Sequence, residues 1–146
     1  VSHFCPEHIQ EILKVSKVPV ALNQVEYHVG MANSPDSKTD GRAFDQAHDI
    51  TYESFMPLCG QCEDAELITG NVTNSIGAKY GKTGSQVALR WLVQQKIPAI
   101  PRSGSAVHQK QNLDIFDFEL SQDDMGVLNA YSNSKIAGLS ADCQIP

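Results

Sequence analysis

Apolar residues repeat with helical spacing in several stretches of this chain, and the clearest stretch runs from Gly84 to Gln95. Its apolar residues fall on one face, and Thr83 with Gln86 forms a capping box at its start. The pattern therefore predicts a helix over these residues. Three further helices are predicted: one from Pro6, one over 71–80 with Gly81 at its end, and one from Ser121.

Short apolar runs that are typical of buried strands lie between the helices. They are Val20 to Tyr27, Ile50 to Phe55 and Pro98 to Pro101, with the stub of a fourth at Val1 to Phe4. Strands that alternate with helices form βαβ units and a parallel sheet. The polar stretch 30–41 predicts a surface loop rather than a linker, so residues 1–146 are predicted to form one domain.

The number of predicted strands is small for an independent parallel sheet. Three or four strands leave the sheet edges uncovered and little core to bury. A complete (β/α)₈ barrel needs about 250 residues, and this chain has 146. We therefore expect an α/β fold that forms about half of such a barrel.

Composition and charge narrow the classes of function. The chain is 41% hydrophobic and 19% charged, which is typical of a globular domain. A net charge of −6 without a cluster of bases predicts that nucleic acid is not a partner. The longest apolar run falls short of the roughly 18 residues of a membrane span, and the first residues lack a signal-peptide pattern. These features predict no membrane partner and a cytoplasmic location.

Cys59 and Cys62 have the spacing of a redox pair or of half a zinc site. A structural zinc site usually takes a second pair or histidines at matching spacing, and the sequence has neither. A redox pair is expected near the start of a helix in a thioredoxin-like pattern, which is also missing. The prediction is two reduced loop thiols and no metal site.

Four segments in fixed order resemble the later strands of the aldo-keto reductase barrel. They are Val1-Ser2-His3-Phe4, Asn23-Gln24-Val25-Glu26-Tyr27-His28, Phe55-Met56-Pro57-Leu58 and Ile100-Pro101-Arg102-Ser103. The stretches 81–92 and 112–118 resemble the family's helix before its final strand and its closing segment. The resemblance implies a partial (β/α)₈ TIM barrel, made of its last three to four βα units. It also implies NADPH-dependent reduction of aldehydes or ketones.

Polar side chains that end successive barrel strands point into a shared mouth. Gln24 offers an amide that can pair with a carboxamide, and Phe55 offers a flat apolar face for a nicotinamide ring. The alternatives are an amide that bonds only to backbone and a ring that belongs to the barrel core. The resemblance implies cofactor contacts at Ser2, His3, Gln24, Phe55, Pro57 and Leu58.

The loop after the last predicted strand has the chemistry of a phosphate site. Arg102 carries a planar fork suited to phosphate, and the helix that follows offers free N–H groups. A solvated basic loop is the alternative. The resemblance implies that the 2′-phosphate of NADP(H) is held by Arg102, Ser103, Gly104, His108, Gln111 and Asn112.

Several positions depart from the family pattern. His3 stands where the family has asparagine, Met56 stands where a serine faces the cofactor, and Cys59 adds a residue to the following loop. His108 replaces a phosphate-binding arginine. Because a histidine is mostly neutral near pH 7, this replacement leaves NAD(H) open as the cofactor.

No segment of this chain resembles the part of the family's site that carries out the reaction. Its Tyr, Asp, Lys and His tetrad belongs to earlier strands, so no catalytic residue is assigned here and the chain alone is predicted to be inactive. His28 matches a histidine that is not the catalytic one. Because Val1 is not a start methionine and lies in a strand-end motif, the chain is predicted to be truncated.

Two functions follow from these patterns. The first is a piece of an NADPH-dependent reductase whose partners are the dinucleotide and a small carbonyl substrate. The second is a non-catalytic half-barrel that pairs with another half or senses the dinucleotide. A symmetric dimer could close the barrel and bury its edges, so self-association is among the expected partners.

Overall fold

The computed structural model describes residues 1–31, 41–59 and 65–132, and the fold is given for these residues. Three parallel strands form one sheet in the order β1 (Leu22–Glu26), β2 (Thr51–Phe55) and β3 (Ala99–Ile100). Ser2 lies on the outer side of β1 and forms an isolated parallel bridge with Gln24. The parallel sheet predicted from alternating strands and helices is confirmed.

Seven helices accompany the strands in the described residues. They are α1 (Pro6–Val15), α2 (Gly41–Ala47), α3 (Glu66–Thr69), α4 (Asn71–Tyr80), α5 (Gly84–Gln94), α6 (Ala106–Leu113) and α7 (Gln122–Ala130). The four predicted helices are confirmed as α1, α4, α5 and α7, and each predicted start or end lies within one residue of the observed one. The sequence pattern did not reveal α2 and α3, which have seven and four residues, too few to show a repeat.

Local chemistry fixes the ends of the two central helices. In α5 the backbone N–H of Gln86 donates to Thr83 Oγ1 at 3.3 Å, and the backbone N–H of Thr83 donates to Gln86 Oε1 at 3.0 Å. These reciprocal bonds satisfy two donors at the helix start. Helix α4 ends at Gly81, whose φ of 66° lies in the left-handed region that glycine adopts without strain.

The core lies between the sheet and helices α4, α5 and α7. Trp91 is fully buried at its centre, with its ring 5.5 Å from that of Tyr27 and its Nε1–H donating to Asn129 Oδ1 at 2.8 Å. The predicted apolar face of α5 is confirmed by the burial of its large side chains. Helical spacing predicts that Ile9, Ile12 and Leu13 of α1 are buried. Ile9 is buried, whereas the prediction for Leu13 is wrong, because its side chain is 37% exposed.

The two faces of the sheet differ because side chains alternate along each strand. Asn23, Val25 and Ser54 are buried beneath the helices. The opposite face is open and carries more exposed side chains. These are Leu22, Gln24, Glu26, Thr51, Glu53, Phe55 and Ile100.

Polar contacts attach the segment after α6 to α5. Lys82 is enclosed by Asp114 at 2.9 Å and Asp117 at 2.7 Å. Gln86 Nε2 donates to the backbone oxygen of Asp114 at 2.7 Å, and Arg90 donates to that of Ile115 at 3.1 Å. The closing segment is therefore held by side chains of the helix that precedes the last strand.

The prediction of reduced thiols is wrong for Cys59. Both Cys5 and Cys59 are buried and disulfide-bonded. Sequence spacing does not show which sulfur atoms the fold brings within bonding distance. Cys62 lies outside the described residues, and so does most of the predicted 30–41 loop. The helices of the described ranges include none long and apolar enough to cross a membrane.

Candidate functional site

The open face of the sheet gathers four of the predicted site residues beside β1 and β2. Ser2 bridges to Gln24, and the backbone N–H of His3 donates to the backbone oxygen of Gln24 at 2.9 Å. The ring of His3 lies 5.1 Å from the ring of Phe55 at an angle of 55°. Strand pairing thus places two rings and one amide next to each other on the barrel side of the sheet.

The side chain of Gln24 has a partner that the sequence did not reveal. Its Nε2 donates to Glu53 Oε1 at 2.7 Å, because parallel pairing puts these residues opposite each other. An ionised carboxylate only accepts hydrogen bonds, so this contact fixes which end of the amide faces Glu53. The amide therefore bonds to a side chain rather than to backbone, and its oxygen is directed away from Glu53.

His3 has an unusual backbone conformation, with φ at 54°. Its Nε2 accepts a hydrogen bond from the backbone N–H of Glu26 at 3.0 Å, which places the proton of the neutral ring on Nδ1. Burial lowers the pKa of His3 and so favours this neutral ring. The ring is held as a neutral donor beside Phe55.

A second carboxylate and a second histidine lie close to this pair. Burial raises the pKa of Glu26, whose Oε1 is 3.9 Å from His28 Nε2. His28 is fully buried, and its Nδ1 lies 2.8 Å from the backbone oxygen of Val29. Neither Glu26 nor Glu53 was predicted as a site residue. The sequence signal for Glu26 was its place two residues after Gln24, which puts both side chains on the same face of β1.

The turn after β2 contains the next predicted residues. Met56 and Cys59 both have positive φ, and the backbone N–H of Cys59 donates to the oxygen of Met56 at 2.8 Å. Pro57 is buried inside this turn, and Leu58 packs partly against the hydrophobic core. The turn therefore holds Phe55 at the strand end. A cofactor contact of Pro57 and Leu58 stays a prediction.

The predicted phosphate loop is organised around the first turn of α6. Arg102 is exposed, and the backbone oxygen of Ser103 accepts from Gln109 Nε2 at 2.8 Å. Ser103 Oγ accepts from the backbone N–H of Ser105 at 3.1 Å, and Ser105 caps the helix by accepting from the backbone N–H of His108 at 3.4 Å. The loop is thus rigidified while its cationic side chain faces solvent.

The predicted phosphate residues come from a loop and from the helix that follows it. Arg102, Ser103 and Gly104 lie in the loop before α6, whereas His108, Gln111 and Asn112 lie on the helix. His108 is three and four residues from Gln111 and Asn112, so these three side chains lie on one face of α6 about one turn apart. Asn112 also borders an apolar groove beside β3.

The tyrosines of the chain do not lie on the open face. All four pack against the hydrophobic core: Tyr27, Tyr52, Tyr80 and Tyr131. The Tyr80 hydroxyl donates to Asp124 Oδ2 at 2.6 Å. Within the described ranges there is also no cluster of three or more residues able to hold a metal ion.

Comparison with known proteins agrees with this architecture. The model of the aldo/keto reductase family matches residues 1–133. The glyoxal reductase of Bacillus subtilis is 34% identical over 143 residues, which cover 97% of this chain and 48% of that protein. The 9,11-endoperoxide prostaglandin H2 reductase of Trypanosoma cruzi is 30% identical over 146 residues, which cover 100% of this chain and 50% of that protein.

Solved structures confirm the prediction of a partial (β/α)₈ barrel. MGS-M4, an aldo-keto reductase from a deep-sea metagenome library, superposes with a TM-score of 0.80 at 30% identity, over 90% of this chain and 46% of that one. A mutant of Gox0644 in complex with NADPH superposes with a TM-score of 0.78 at 30% identity, over 92% of this chain and 46% of that one. The chain spans about half the length of the curated relatives it matches.

Proposed function

Because this chain belongs to the aldo/keto reductase family, we propose that it is part of an NADPH-dependent reductase of aldehydes or ketones. The main support for the proposal is that His3, Gln24 and Phe55 lie next to one another on the open face of the sheet. A neutral ring, an oriented amide and an aromatic face are the groups that a nicotinamide carboxamide and ring require. The solved complex of the structural neighbour Gox0644 with NADPH supports the same cofactor.

The proposed nicotinamide contacts follow from the orientation of each side chain. Gln24 directs its amide oxygen away from Glu53, where it can accept from the NH₂ group of a carboxamide. Phe55 supplies a stacking face, and His3 Nδ1 supplies a donor for the carboxamide oxygen. The bound group would supply hydride chemistry, while these residues position it. Ser2, Pro57 and Leu58 complete the proposed set.

The proposed 2′-phosphate contacts lie at the start of α6. Arg102 offers a cationic fork, and Ser103, Gly104 and His108 surround the free N–H groups of the first helical turn. Gln111 and Asn112 would act from the last turn of the same helix. NADP(H) is the preferred cofactor in this proposal, and NAD(H) remains open.

The proposal assigns no catalytic residue to this chain. The family's tetrad is taken to lie in a part of the barrel that these 146 residues do not match, and the whole 1–146 stretch is taken as one part of the reductase domain. A cytoplasmic location stays a prediction. The disulfide-bonded Cys5 and Cys59 weigh against it, because disulfides are rare in that compartment.

A second candidate function is a non-catalytic half-barrel that binds a partner. It is favoured by a specific observation, which is that both edges of the sheet are open within the described residues. An open edge presents unpaired backbone groups to another strand. A partner that covers these edges would complete the fold without any chemistry.

The test of the cofactor proposal is a fluorescence titration of the chain with NADPH and NADH. Arg102→Ala should weaken NADPH binding by about 5- to 100-fold, the scale of one lost charge-assisted hydrogen bond. NADH binding should change much less. Lys110→Ala is the matched control, because this exposed cation lies on α6 but outside the proposed contacts. Equal losses for both dinucleotides would remove the NADP assignment, and an unmodified chain that binds neither would refute the proposal for this chain.

A further inference from the structure

Gln24 and Glu53 form a polar pair across two neighbouring strands of the sheet. The register of β1 on β2 places them opposite each other, and Gln24 Nε2 donates to Glu53 Oε1 at 2.7 Å. Both side chains are half-buried, and a hydrogen bond is stronger where the surroundings are less polar than water. The carboxylate also makes the bond charge-assisted, and such bonds are about twice as strong as neutral ones. The pair is therefore a fixed feature of the open face.

The backbone of Gln24 is held from both sides, so its side chain starts from a defined position. On one side its N–H donates to the backbone oxygen of Val1 at 3.0 Å, and its backbone oxygen accepts from the N–H of His3 at 2.9 Å. On the other side the whole of β1 pairs with β2. The freedom left to the amide is rotation about its side-chain bonds, and the bond to Glu53 restricts this rotation.

The charge of Glu53 decides which end of the Gln24 amide is offered to a ligand. The NH₂ group of an amide donates and its oxygen accepts, whereas an ionised carboxylate only accepts. Turning the amide by half a turn would set its oxygen against the carboxylate and lose the bond. A charge-assisted bond of this kind favours the observed orientation by about 10-fold or more. Gln24 is therefore held with its oxygen, an acceptor, at the end that faces away from Glu53.

The oriented amide lies beside the proposed stacking surface of Phe55. Side chains two residues apart along a strand share a face, so Glu53 and Phe55 are neighbours on β2. Because Gln24 is opposite Glu53, it lies diagonally across from Phe55. A pyridine ring stacked on Phe55 can thus place a substituent of its edge against the Gln24 oxygen. That oxygen accepts from an NH₂ group and gains nothing from a methyl group.

We propose that Glu53 is a positioning residue through which this face selects a carboxamide on the pyridine ring of a dinucleotide. Glu53 acts through the orientation of Gln24 and does not contact the ligand. The inference rests on the proposed function, because it names the substituent that the nicotinamide contacts prefer. Glu26 is another carboxylate on the same face, but it faces His28 Nε2 at 3.9 Å rather than the amide. It therefore offers a matched control for the loss of a carboxylate.

The test is calorimetric titration of the 146-residue chain with NADP⁺ and with its 3-acetylpyridine analogue. The analogue has a methyl group in place of the carboxamide NH₂ and keeps the ring charge and the phosphates. The unmodified chain should bind NADP⁺ about 3- to 10-fold more tightly than the analogue, the scale of one hydrogen bond. In Glu53→Gln the new amide can hold Gln24 in either orientation, so the two affinities should differ by less than about 2-fold. Glu26→Gln should keep the original ratio, because both ligands carry the same charge.

A readout without ligand separates a loss of orientation from a loss of fold. Nitrogen–proton NMR spectra contain one pair of side-chain amide signals from Gln24, which Gln24→Leu identifies by removing it. The two proton shifts should move closer together in Glu53→Gln and stay in place in Glu26→Gln, while circular dichroism checks the helices. If Glu53→Gln fails to fold, Glu53→Met takes its place, because methionine has a similar length and cannot hold the amide.

The outcomes distinguish a failure of this inference from a failure of the proposed function. A chain that binds NADP⁺ but does not prefer it over the analogue would overturn the role of Glu53 alone. The same conclusion would follow if the preference survived in Glu53→Gln or fell equally in Glu26→Gln. A chain that binds neither ligand would refute the proposed function, and this inference with it.

Discussion

Asp45 is a buried charge-bearing residue in the layer that covers the sheet. It is fully buried on α2, where Oδ2 accepts from Asn23 Nδ2 at 3.0 Å and Oδ1 has no partner among the described residues. Burial raises the pKa of Asp45, and the hydrogen bond from Asn23 and the charge of His48 offset this effect in part. The folded protein therefore favours the protonated carboxyl more than the unfolded chain does.

This pKa direction gives a pH dependence of stability. The stabilisation from protonated Asp45 is present below its ordinary pKa of 3.8 and is lost as the pH rises through the higher folded value. The free energy of unfolding should therefore fall as the pH is raised from about 4, and this fall should be smaller in Asp45→Asn. Urea denaturation at several pH values measures the free energy of unfolding. Asp49→Asn is the control, because Asp49 is exposed, and an unchanged slope in Asp45→Asn would contradict the prediction.

The site residues also show which contacts could not be predicted from the sequence. The amide of Gln24 was identified from its place in a strand-end motif, but its partner Glu53 is 29 residues away. Only the register of β1 on β2 brings these side chains together, and apolar alternation does not define register between particular strands. For the same reason the position of His3 against Phe55 could not be predicted. The residue types of the site were predictable, and their mutual contacts were not.

At the scale of elements, helix prediction succeeded where local chemistry decides the structure. The capping box of Thr83 and Gln86 and the left-handed Gly81 are both formed as expected. Helix α2 escaped prediction because its seven residues bury only Asp45 completely, so it has no apolar stripe to recognise. Strand β3 has only two residues, and its existence depends on pairing with β2.

The capping box of α5 is expected to contribute measurably to stability. Thr83→Ala removes the acceptor for the backbone N–H of Gln86 and should lower the free energy of unfolding by about 1 kcal/mol. Ser85→Ala is a matched control, because it removes a hydroxyl two residues later in the same helix. Chemical denaturation at a fixed protein concentration compares the two, since association would otherwise shift the apparent stability. A loss in Ser85→Ala equal to that in Thr83→Ala would show that the cap is not responsible.

At the scale of the whole molecule, the half-barrel was predictable from the number of strands and the length of the chain. The parallel pairing of its strands followed from the alternation of strands and helices. The sequence did not predict what covers the two edges of the sheet, because an exposed apolar residue on α1 has the same sequence pattern as a buried one. Leu13 shows this, since its helical spacing predicts burial that only a neighbouring element could provide.

The molecule as a whole is expected to show no NADPH-dependent reduction of a broad test aldehyde. Carbonyl reduction in this family needs a tyrosine acid whose pKa is tuned by neighbouring charged groups. Here all four tyrosines pack against the core rather than on the open face, and the Tyr80 hydroxyl already pairs with Asp124. A dimer that closes the barrel would add only a second copy of the same tyrosines. Closure of the barrel by a second copy therefore supplies no catalytic acid.

The assay follows NADPH absorbance with the purified chain, and a complete reductase of the family run beside it shows that the conditions support turnover. The expected rate equals that of buffer with substrate and cofactor. A contaminating host reductase would lose its activity on repurification and would be unaffected by changes in this chain. Turnover that persists through repurification and falls in Arg102→Ala would instead belong to this chain. That result would contradict the assignment of no catalytic residue, because the acid would then have to lie within these 146 residues.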